Sequence, residues 1–413
     1  MKRSTRLPHW HFVWGPFFIR GWRLSLLLKL LIGILLVLYF FWNVTTFVLT
    51  MQSRPPGLRS HGDVQDLHGD VLDQRASVLD PHASVQSLDD SYEEFPEITD
   101  SEEAWWLQPD MYIEDGGCDF SAVVALFKPR QLELNCGNIN KLDVGDYVGR
   151  GYWRKVYKTT WNGREVAVKR VKKELLARSD IVPRHVEECA SIFSLRNDPN
   201  IVKLVGWCLS TVVVEFIPNQ LDTLLFDSKE PISVHRALEL ARDAARGVAQ
   251  LHRASGGPFA HADIQARQFL INANGTLQLN DFNRVKYTGP RLVDGKPTSD
   301  KCTFHTSVAK GKWRSPEEYQ RHQLDEKVDV YSLSLVLWTL RAREKPFRSL
   351  KREAVYEKVP TGVRPPLEAM SDFPQQMQDL IVRGWDTDPT KRPTSEEMAD
   401  EIDRILMSYE SKQ

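Results

Sequence analysis

Cysteine is scarce in this 413-residue sequence, which has five cysteines and no Cys-x-x-Cys pair. That number and spacing exclude a disulfide-stabilised miniprotein and a structural zinc site. We expect buried thiols, and the alternative is one local bridge between Cys118 and Cys136. A basic stripe is also lacking, because 54 lysines and arginines are balanced by 55 acidic residues. No nucleic-acid partner is therefore expected.

Long apolar runs are rare too, and one stands out at residues 30–49, with the sequence LLIGILLVLYFFWNVTTFVL. About 20 helical residues cross a hydrocarbon core of about 30 Å, so the run predicts a transmembrane helix. It is too long for a cleavable signal peptide, which favours an uncleaved signal anchor. Basic residues are concentrated before the run, so the N-terminus is expected in the cytosol. The rest of the chain would be lumenal or extracellular, in the endoplasmic reticulum or Golgi or at the cell surface.

The segment after the predicted span is acidic and has almost no helical or strand periodicity. Such a composition buries too little apolar surface to offset chain entropy, so we expect a disordered, flexible stem. Trp105 and Trp106 near its end are expected to pack onto the folded domain. The predicted organisation is a basic cytosolic tail, a membrane helix, a stem and one folded domain, at residues 1–29, 30–49, 50–116 and 117–413.

Within the folded domain, short β-type runs give way to longer amphipathic helical runs beyond about Ile232. This order predicts a small sheet lobe at about residues 140–217, followed by a helical lobe at about 218–410. A Gly-x-Gly turn at Gly149 and Gly151 precedes the strand Val-Ala-Val-Lys, which ends at Lys169. The turn alone is weak evidence, because glycine pairs are common in loops.

Further motifs follow in a fixed order. They are His261-Ala262-Asp263, Asp281-Phe282-Asn283, Ser315-Pro316-Glu317, Asp329-Val330-Tyr331 and Lys391-Arg392-Pro393. Together with the glycine turn and Lys169, this series resembles the eukaryotic protein kinase-like superfamily. The resemblance implies an α+β, two-lobed fold, with a five-stranded antiparallel sheet and one helix in the first lobe and a mainly helical second lobe.

The resemblance also implies functions for particular residues. Asp263 would orient the acceptor hydroxyl and take its proton, while Lys169 would hold the ATP phosphates and pair with Glu188, or alternatively Glu187. Asp281 and Gln268 would bind Mg²⁺ or Mn²⁺. Structural support is expected from His261, Asp329, Glu317 and Arg392. The implied ATP-binding residues are Gly149, Gly151, Val156, Ala167, Lys169, Val214, Glu215 and Ile217.

Several positions depart from the family pattern. Arg154 replaces the third loop glycine, where its guanidinium could reach the phosphates, and Ala262 replaces the arginine that holds a phosphorylated activation segment. Gln265 stands in place of a lysine, a loss that Arg267 could offset. Gln268 replaces a metal-binding asparagine and keeps the amide oxygen. Asn283 replaces a glycine and can adopt left-handed backbone conformations.

We therefore expect a membrane-anchored protein kinase that transfers the γ-phosphate of ATP to a Ser, Thr or Tyr hydroxyl of a protein. An ATP-binding pseudokinase that acts as a tethered scaffold or regulator is the alternative. The acceptor stays open between a protein and a glycan, with Lys312-Trp313-Arg314 expected near its docking site. Asn274-Gly275-Thr276 predicts a hairpin turn, and it would be a glycosylation acceptor if the domain is lumenal.

Overall fold

The computed structural model describes residues 100–108, 117–118, 120–293, 296–306 and 311–413. The predicted cytosolic tail, membrane helix and most of the stem lie outside these residues. Among the helices in the described part of the chain, none is long and apolar enough to cross a membrane. The folded domain therefore carries the structural description that follows.

The first lobe is built on a five-stranded sheet in the order β1-β2-β3-β5-β4, with antiparallel pairing throughout. This confirms the predicted five-stranded antiparallel sheet. The strands are β1 Asp146–Arg150, β2 Arg154–Trp161, β3 Arg164–Val171, β4 Leu204–Cys208 and β5 Thr211–Glu215.

Side chains alternate along β3 between two environments, as strand geometry requires. Val166 and Val168 are buried in a small cluster on one face of the sheet. Ala167 belongs to the main hydrophobic core on the other face, where Lys169 follows it two residues later. The sequence Val-Ala-Val-Lys thereby fixes one face of the strand to the sheet core and turns Lys169 towards the lobe interface.

The second lobe is mainly helical, as predicted. Its central helix runs from Lys327 to Ala342 and is buried on nearly all sides, which explains its mostly apolar sequence. The helices of the described chain are α1 Asp100–Trp106, α2 Ser121–Leu126, α3 Ile181–Ser194, α4 Leu221–Phe226, α5 Val234–His252, α6 Pro316–Tyr319, α7 Lys327–Ala342, α8 Arg352–Lys358, α9 Gln375–Gly384 and α10 Ser395–Glu410.

Short strands complete the helical lobe and flank the motifs that contain Asp263 and Asp281. They are β6 Asn219–Gln220, β7 Phe259–Ala260, β8 Phe269–Ile271, β9 Leu277–Leu279, β10 Lys286–Tyr287, β11 Pro290–Val293 and β12 Lys296–Lys301. The turn between β8 and β9 contains Asn274 and Gly275, whose φ of 82° favours glycine. The Asn-Gly hairpin expected from the sequence is therefore present.

The chain before the sheet packs against both lobes. Phe120 stacks on Phe259 of the helical lobe, with ring centroids 5.4 Å apart, and Phe127 contacts Phe193 and Trp207 of the sheet lobe. In α1, Trp106 also packs edge-on against Trp207. Its neighbour Trp105 stays half exposed, so only one tryptophan of the pair packs as expected.

The cysteines form two disulfides, which corrects the prediction of buried thiols and of a Cys118–Cys136 bridge. Cys136 pairs with Cys208, and Cys118 pairs with Cys302. Only Cys189 is a free, buried thiol. The prediction failed because both bonds join segments far apart in sequence, and spacing along the chain does not reveal such contacts.

One of these bonds fixes the segment between Asp281 and Glu317. This segment forms the β11–β12 hairpin, and Thr298 lies in its second strand. The hairpin is held at both ends, because Leu292 N–H donates to Gly117 O at 2.8 Å and Cys302 bonds covalently to Cys118. The upstream segment and the hairpin therefore form one unit.

Candidate active site

Residues 261–268, which contain Asp263 and are called the catalytic loop below, are fixed by a carboxylate from the central helix. Asp329, in the first turn of α7, accepts hydrogen bonds from His261 N–H at 2.6 Å and Ala262 N–H at 2.9 Å. The His261 ring bonds the main-chain oxygen of Asn280 at 3.0 Å and thereby connects this loop to the segment before Asp281. Ala262 has a φ of 58°, a costly conformation for alanine that these contacts maintain.

Asp263 is nearly buried and accepts hydrogen bonds on both carboxylate oxygens. Gln265 Nε2 donates to Oδ1 at 3.1 Å, and Gln268 Nε2 donates to Oδ2 at 2.7 Å. Arg314 also donates to Oδ1. Burial alone would raise the pKa of Asp263, but the positive charges of Arg314, Arg284 and Arg267 outweigh it and lower the pKa to about 2. The carboxylate is therefore ionised at any working pH.

Asp281 faces Lys169 and two acidic side chains. Burial raises the pKa of Asp281, the charge of Lys169 opposes this rise, and the charges of Glu188 and Asp263 add to it. Asn283 Nδ2 donates to Asp281 Oδ1 at 2.7 Å. The left-handed backbone lies at Asp281, with a φ of 65°, and not at Asn283 as we expected.

The donor chemistry here fits a magnesium ion. Since Gln268 uses its amide nitrogen to bond Asp263, its oxygen is the atom left for a cation, and Asp281 adds a carboxylate. Repulsion among Asp281, Glu188 and Asp263 would be relieved by a divalent ion. The described residues contain no cluster of three or more His, Cys, Asp or Glu that could hold a metal alone. An ion at Asp281 would thus depend on further oxygens, such as those of a nucleotide phosphate.

The expected ion pair between Lys169 and Glu188 is absent among the described salt bridges. Glu188 pairs with Arg154, whose Nη2 lies 2.7 Å from Oε2 and whose Nη1 donates to Oε1 at 2.8 Å. Lys169 Nζ instead approaches Asn280 Oδ1 at 3.4 Å. The sequence prediction was wrong about the partner because Arg154 lies opposite Val171 on β3, within reach of α3.

The strand that leads into the helical lobe forms one wall of the cleft. Val214 is buried, and the amides of Glu215 and Phe216 donate to Lys203 O and Glu165 O at 3.0 and 3.1 Å. Within the described hydrogen bonds, the Ile217 amide has no main-chain acceptor. The amide of Ile217, which the family resemblance assigns to adenine binding, is thus not used by the main-chain hydrogen bonds of the described residues. Ala167 and Val156, on β3 and β2, contribute apolar surface to the same core.

Residues 142–402 match the family described as protein tyrosine and serine/threonine kinase. The match covers more than half of the chain. The chain belongs to the protein kinase family. It is 30% identical over 278 residues to the dual specificity protein kinase shkE of Dictyostelium discoideum, a similarity that covers 64% of this chain and 37% of that protein.

A human relative, mitogen-activated protein kinase kinase kinase 7, is 29% identical over 281 residues, which cover 65% of this chain and 42% of the relative. The Dictyostelium shkA kinase is 31% identical over 275 residues, covering 63% and 48%. The chain thus spans less than half the length of these relatives, and the similarity extends over the kinase domain.

Other predicted support residues of the kinase domain also meet. Arg392 is buried and donates to both oxygens of Glu317, at 2.6 and 2.7 Å. By contrast, Lys312 donates to the carbonyls of Phe347 and Leu350, at 2.9 and 2.6 Å. Burial lowers the pKa of Lys312. Arg314 is buried, whereas Lys312 is partly exposed, and the docking of an acceptor near them stays a prediction.

Arg314 was not expected from the sequence as a partner of Asp263, since only Arg267 was predicted to offset the lysine replaced by Gln265. Arg314 Nη1 also donates to Ala262 O at 2.6 Å, and its other charge partner is Glu318, 3.6 Å away. Glu318 is fixed in turn by Ser315, whose N–H and hydroxyl both donate to it. A signal existed in the sequence, since an arginine inside a buried kinase motif requires a carboxylate partner.

Proposed function

We propose that this chain is an ATP- and Mg²⁺-dependent protein kinase that transfers the γ-phosphate of ATP to a hydroxyl of a protein substrate. The observation that carries the proposal is the state of Asp263, an ionised carboxylate held by Arg314, Gln265 and Gln268 beside Asp281. A carboxylate that is fixed on both oxygens is suited to orient an acceptor hydroxyl in one direction.

With a pKa of about 2, Asp263 is a weak base, so its main contribution is to orient the acceptor hydroxyl. Phosphoryl transfer tolerates a weak base, because positioning and charge stabilisation account for most of the rate enhancement. Asp263 Oδ1 already accepts two hydrogen bonds and Oδ2 accepts one, so about one of the four lone-pair sites of the carboxylate remains, on Oδ2. The substrate hydroxyl would take this site.

ATP would lie between the two lobes. Its adenine would meet the Glu215 carbonyl and the Ile217 amide, and its phosphates would meet Lys169 and the backbone of Gly149 and Gly151. The space beside both glycines is open, because a Cβ at either position would have no atom within 4 Å. The ion would be held by Asp281 and Gln268, where it would neutralise the phosphates and complete the transfer geometry.

The test is transfer of labelled phosphate from ATP by the full chain in detergent, with Mg²⁺ or Mn²⁺ and generic protein acceptors. We expect Asp263→Asn to lower transfer by about 10²- to 10⁴-fold while the variant still binds nucleotide. The exposed Asp300→Asn serves as the matched control. Nucleotide binding without transfer, unchanged by Asp263→Asn, would establish the pseudokinase interpretation instead.

We also propose that the kinase domain faces an oxidising compartment and is anchored through residues 30–49. Two disulfides support this address, because disulfides persist in the secretory pathway and outside the cell but rarely in the cytosol. The exposed Asn274 lies in a surface turn, where a glycan has room. The acceptor would then be a secreted or lumenal protein, or a glycan hydroxyl.

This address is tested in cells that express the full chain. We expect a glycosidase-sensitive mobility shift that is lost in Asn274→Gln and retained in Asn272→Gln, which belongs to no Asn-x-Ser/Thr sequon. The domain should also resist protease added to intact microsomes. Digestion of the domain in sealed microsomes would place it in the cytosol and reject the proposal.

A further inference from the structure

Arg154 occupies an unusual place for a charged residue. It begins β2 at the position where the family has a glycine, and its side chain is only 5% exposed. Its guanidinium lies over the Trp153 ring, 3.9 Å from the centroid, in a cation–π contact. This arginine, buried at the end of the glycine-rich loop that contains Gly149 and Gly151, therefore has a fixed orientation.

Two residues of α3, one turn apart, receive this guanidinium. Arg154 pairs with both oxygens of Glu188, and its Nη2 lies 2.7 Å from His185 Nδ1. Burial and the Arg154 charge hold the pKa of His185 well below its ordinary value, so the neutral ring accepts the bond. Glu188 is buried as well. The loop and the helix are thus joined by one side chain with three contacts.

Lys169 is left for another partner. Its Nζ lies 3.4 Å from Asn280 Oδ1, and its charge acts on Asp281. The charge of Glu188 also acts on Asp281 while Glu188 is paired with Arg154. The helix α3 is therefore joined to the sheet lobe without the lysine.

We propose that Arg154 is a positioning residue that replaces Lys169 as the cation for Glu188, which fixes α3 to the glycine-rich loop and leaves Lys169 for the ATP phosphates. The inference rests on the proposed nucleotide binding but not on phosphate transfer. It differs from an inhibitory contact, since Glu188 remains beside Asp281 when Arg154 holds it.

Double-mutant cycles on the full chain test the assignment, with the dissociation constant of a non-hydrolysable ATP analogue and Mg²⁺ as the readout. We expect Arg154→Met and Glu188→Gln each to weaken binding about tenfold, and the double variant to bind no worse than Arg154→Met. The effects of Lys169→Met and Glu188→Gln should multiply instead. The exposed pair of Arg164 and Glu133, changed to Met and Gln, is the matched control.

If Arg154→Met alone fails to fold because it leaves the Glu188 charge buried and unpaired, Arg154→Lys takes its place in the cycle. Arg154→Lys, which retains the charge but not the bidentate geometry, should bind with intermediate affinity. Coupling of Lys169 with Glu188, and independence of Arg154, would overturn the proposal. Faster phosphate transfer by Arg154→Met would do the same, because it would identify an inhibitory contact.

A chain that couples Arg154 with Glu188 in binding but transfers no phosphate would reject the proposed kinase activity and keep this inference. A chain that binds no nucleotide would reject both. Thermal unfolding of each variant separates a loss of fold from a loss of positioning, because a purely structural arginine would lower stability without the pattern of coupling.

Discussion

The two lobes each bring an unexpected arginine to an important carboxylate, and they do so differently. In the sheet lobe, Arg154 is the described ion-pair partner of Glu188. In the helical lobe, Arg314 shares Asp263 with two neutral amides, from Gln265 and Gln268. The first contact joins two elements, whereas the second lowers the pKa of Asp263 and orients its carboxylate. The same residue type thus joins elements in one lobe and sets the charge of a predicted catalytic residue in the other.

The largest expected effect concerns the covalent bonds that support these two regions. Cys136–Cys208 closes a separation of 72 residues, and Cys118–Cys302 closes one of 184. Chain-entropy arguments give each bond about 4–5 kcal/mol of stabilisation, but disulfides in proteins typically contribute only about 2–4 kcal/mol. We expect Cys136→Ala with Cys208→Ala to lower the free energy of unfolding by about 2–4 kcal/mol in urea titrations.

The control for this experiment is the wild-type chain after reduction, which breaks both disulfides and should lose at least as much stability. The Cys118→Ala and Cys302→Ala pair provides a second test, because it should also expose the β11–β12 hairpin to limited proteolysis. If reduction changes neither stability nor protease sensitivity, the disulfides do not constrain the fold in solution.

The next effect separates the two arginines by kinetic parameter. Arg314→Met removes a donor from a buried carboxylate, a change worth about 1.5–3 kcal/mol, so kcat should fall roughly 10- to 100-fold. Nucleotide affinity should hardly change, in contrast with Arg154→Met. Arg314→Lys is the matched variant and should recover part of the rate. A loss confined to nucleotide binding would contradict the division between lobes.

The sequence predicted residues that lie within one motif better than it predicted contacts between residues far apart in the chain. Asp263, Asp281 and Lys169 were placed by motifs whose spacing is fixed by one strand or loop. The partners of Glu188 and of Cys136 come from 34 and 72 residues away, and no periodicity encodes such pairs. Local pattern therefore predicted the order of the elements, the candidate reacting groups and the contact of Arg392 with Glu317, while the partner of Glu188 and the disulfides required the folded chain.

The pH dependence of kcat tests whether Arg314 sets the pKa of Asp263. An ordinary aspartate has a pKa of about 3.9, whereas that of Asp263 is lowered to about 2. Because the folded-state pKa is lowered, its stabilisation is complete above about pH 4 and is lost as pH falls through 2. Titration of Asp263 should therefore not limit the rate above about pH 4 in the wild-type chain. In Arg314→Met the acid limb of kcat should move to higher pH, since burial is then less opposed.

This shift is measured by pH–rate profiles at saturating nucleotide and Mg²⁺, with Arg267→Met as the comparison variant. Arg267 acts on Asp263 through a weaker charge effect than Arg314 and should move the limb less. Equal shifts in the two variants would show that general positive charge, and not the Arg314 contact, sets the ionisation of Asp263.

The smallest expected effect is at Gln268, where the catalytic loop departs from the family by one methylene. Gln268→Asn restores the family residue but shortens the side chain, so its 2.7 Å bond to Asp263 should be lost. We expect transfer to fall by up to about tenfold, because one hydrogen bond to a charged group is removed and the Mg²⁺ ligand is withdrawn. Gln265→Asn, which changes the weaker 3.1 Å contact, should cost less. Faster transfer by Gln268→Asn at low Mg²⁺ would contradict this prediction. It would show that asparagine suits the geometry of this loop better than glutamine does.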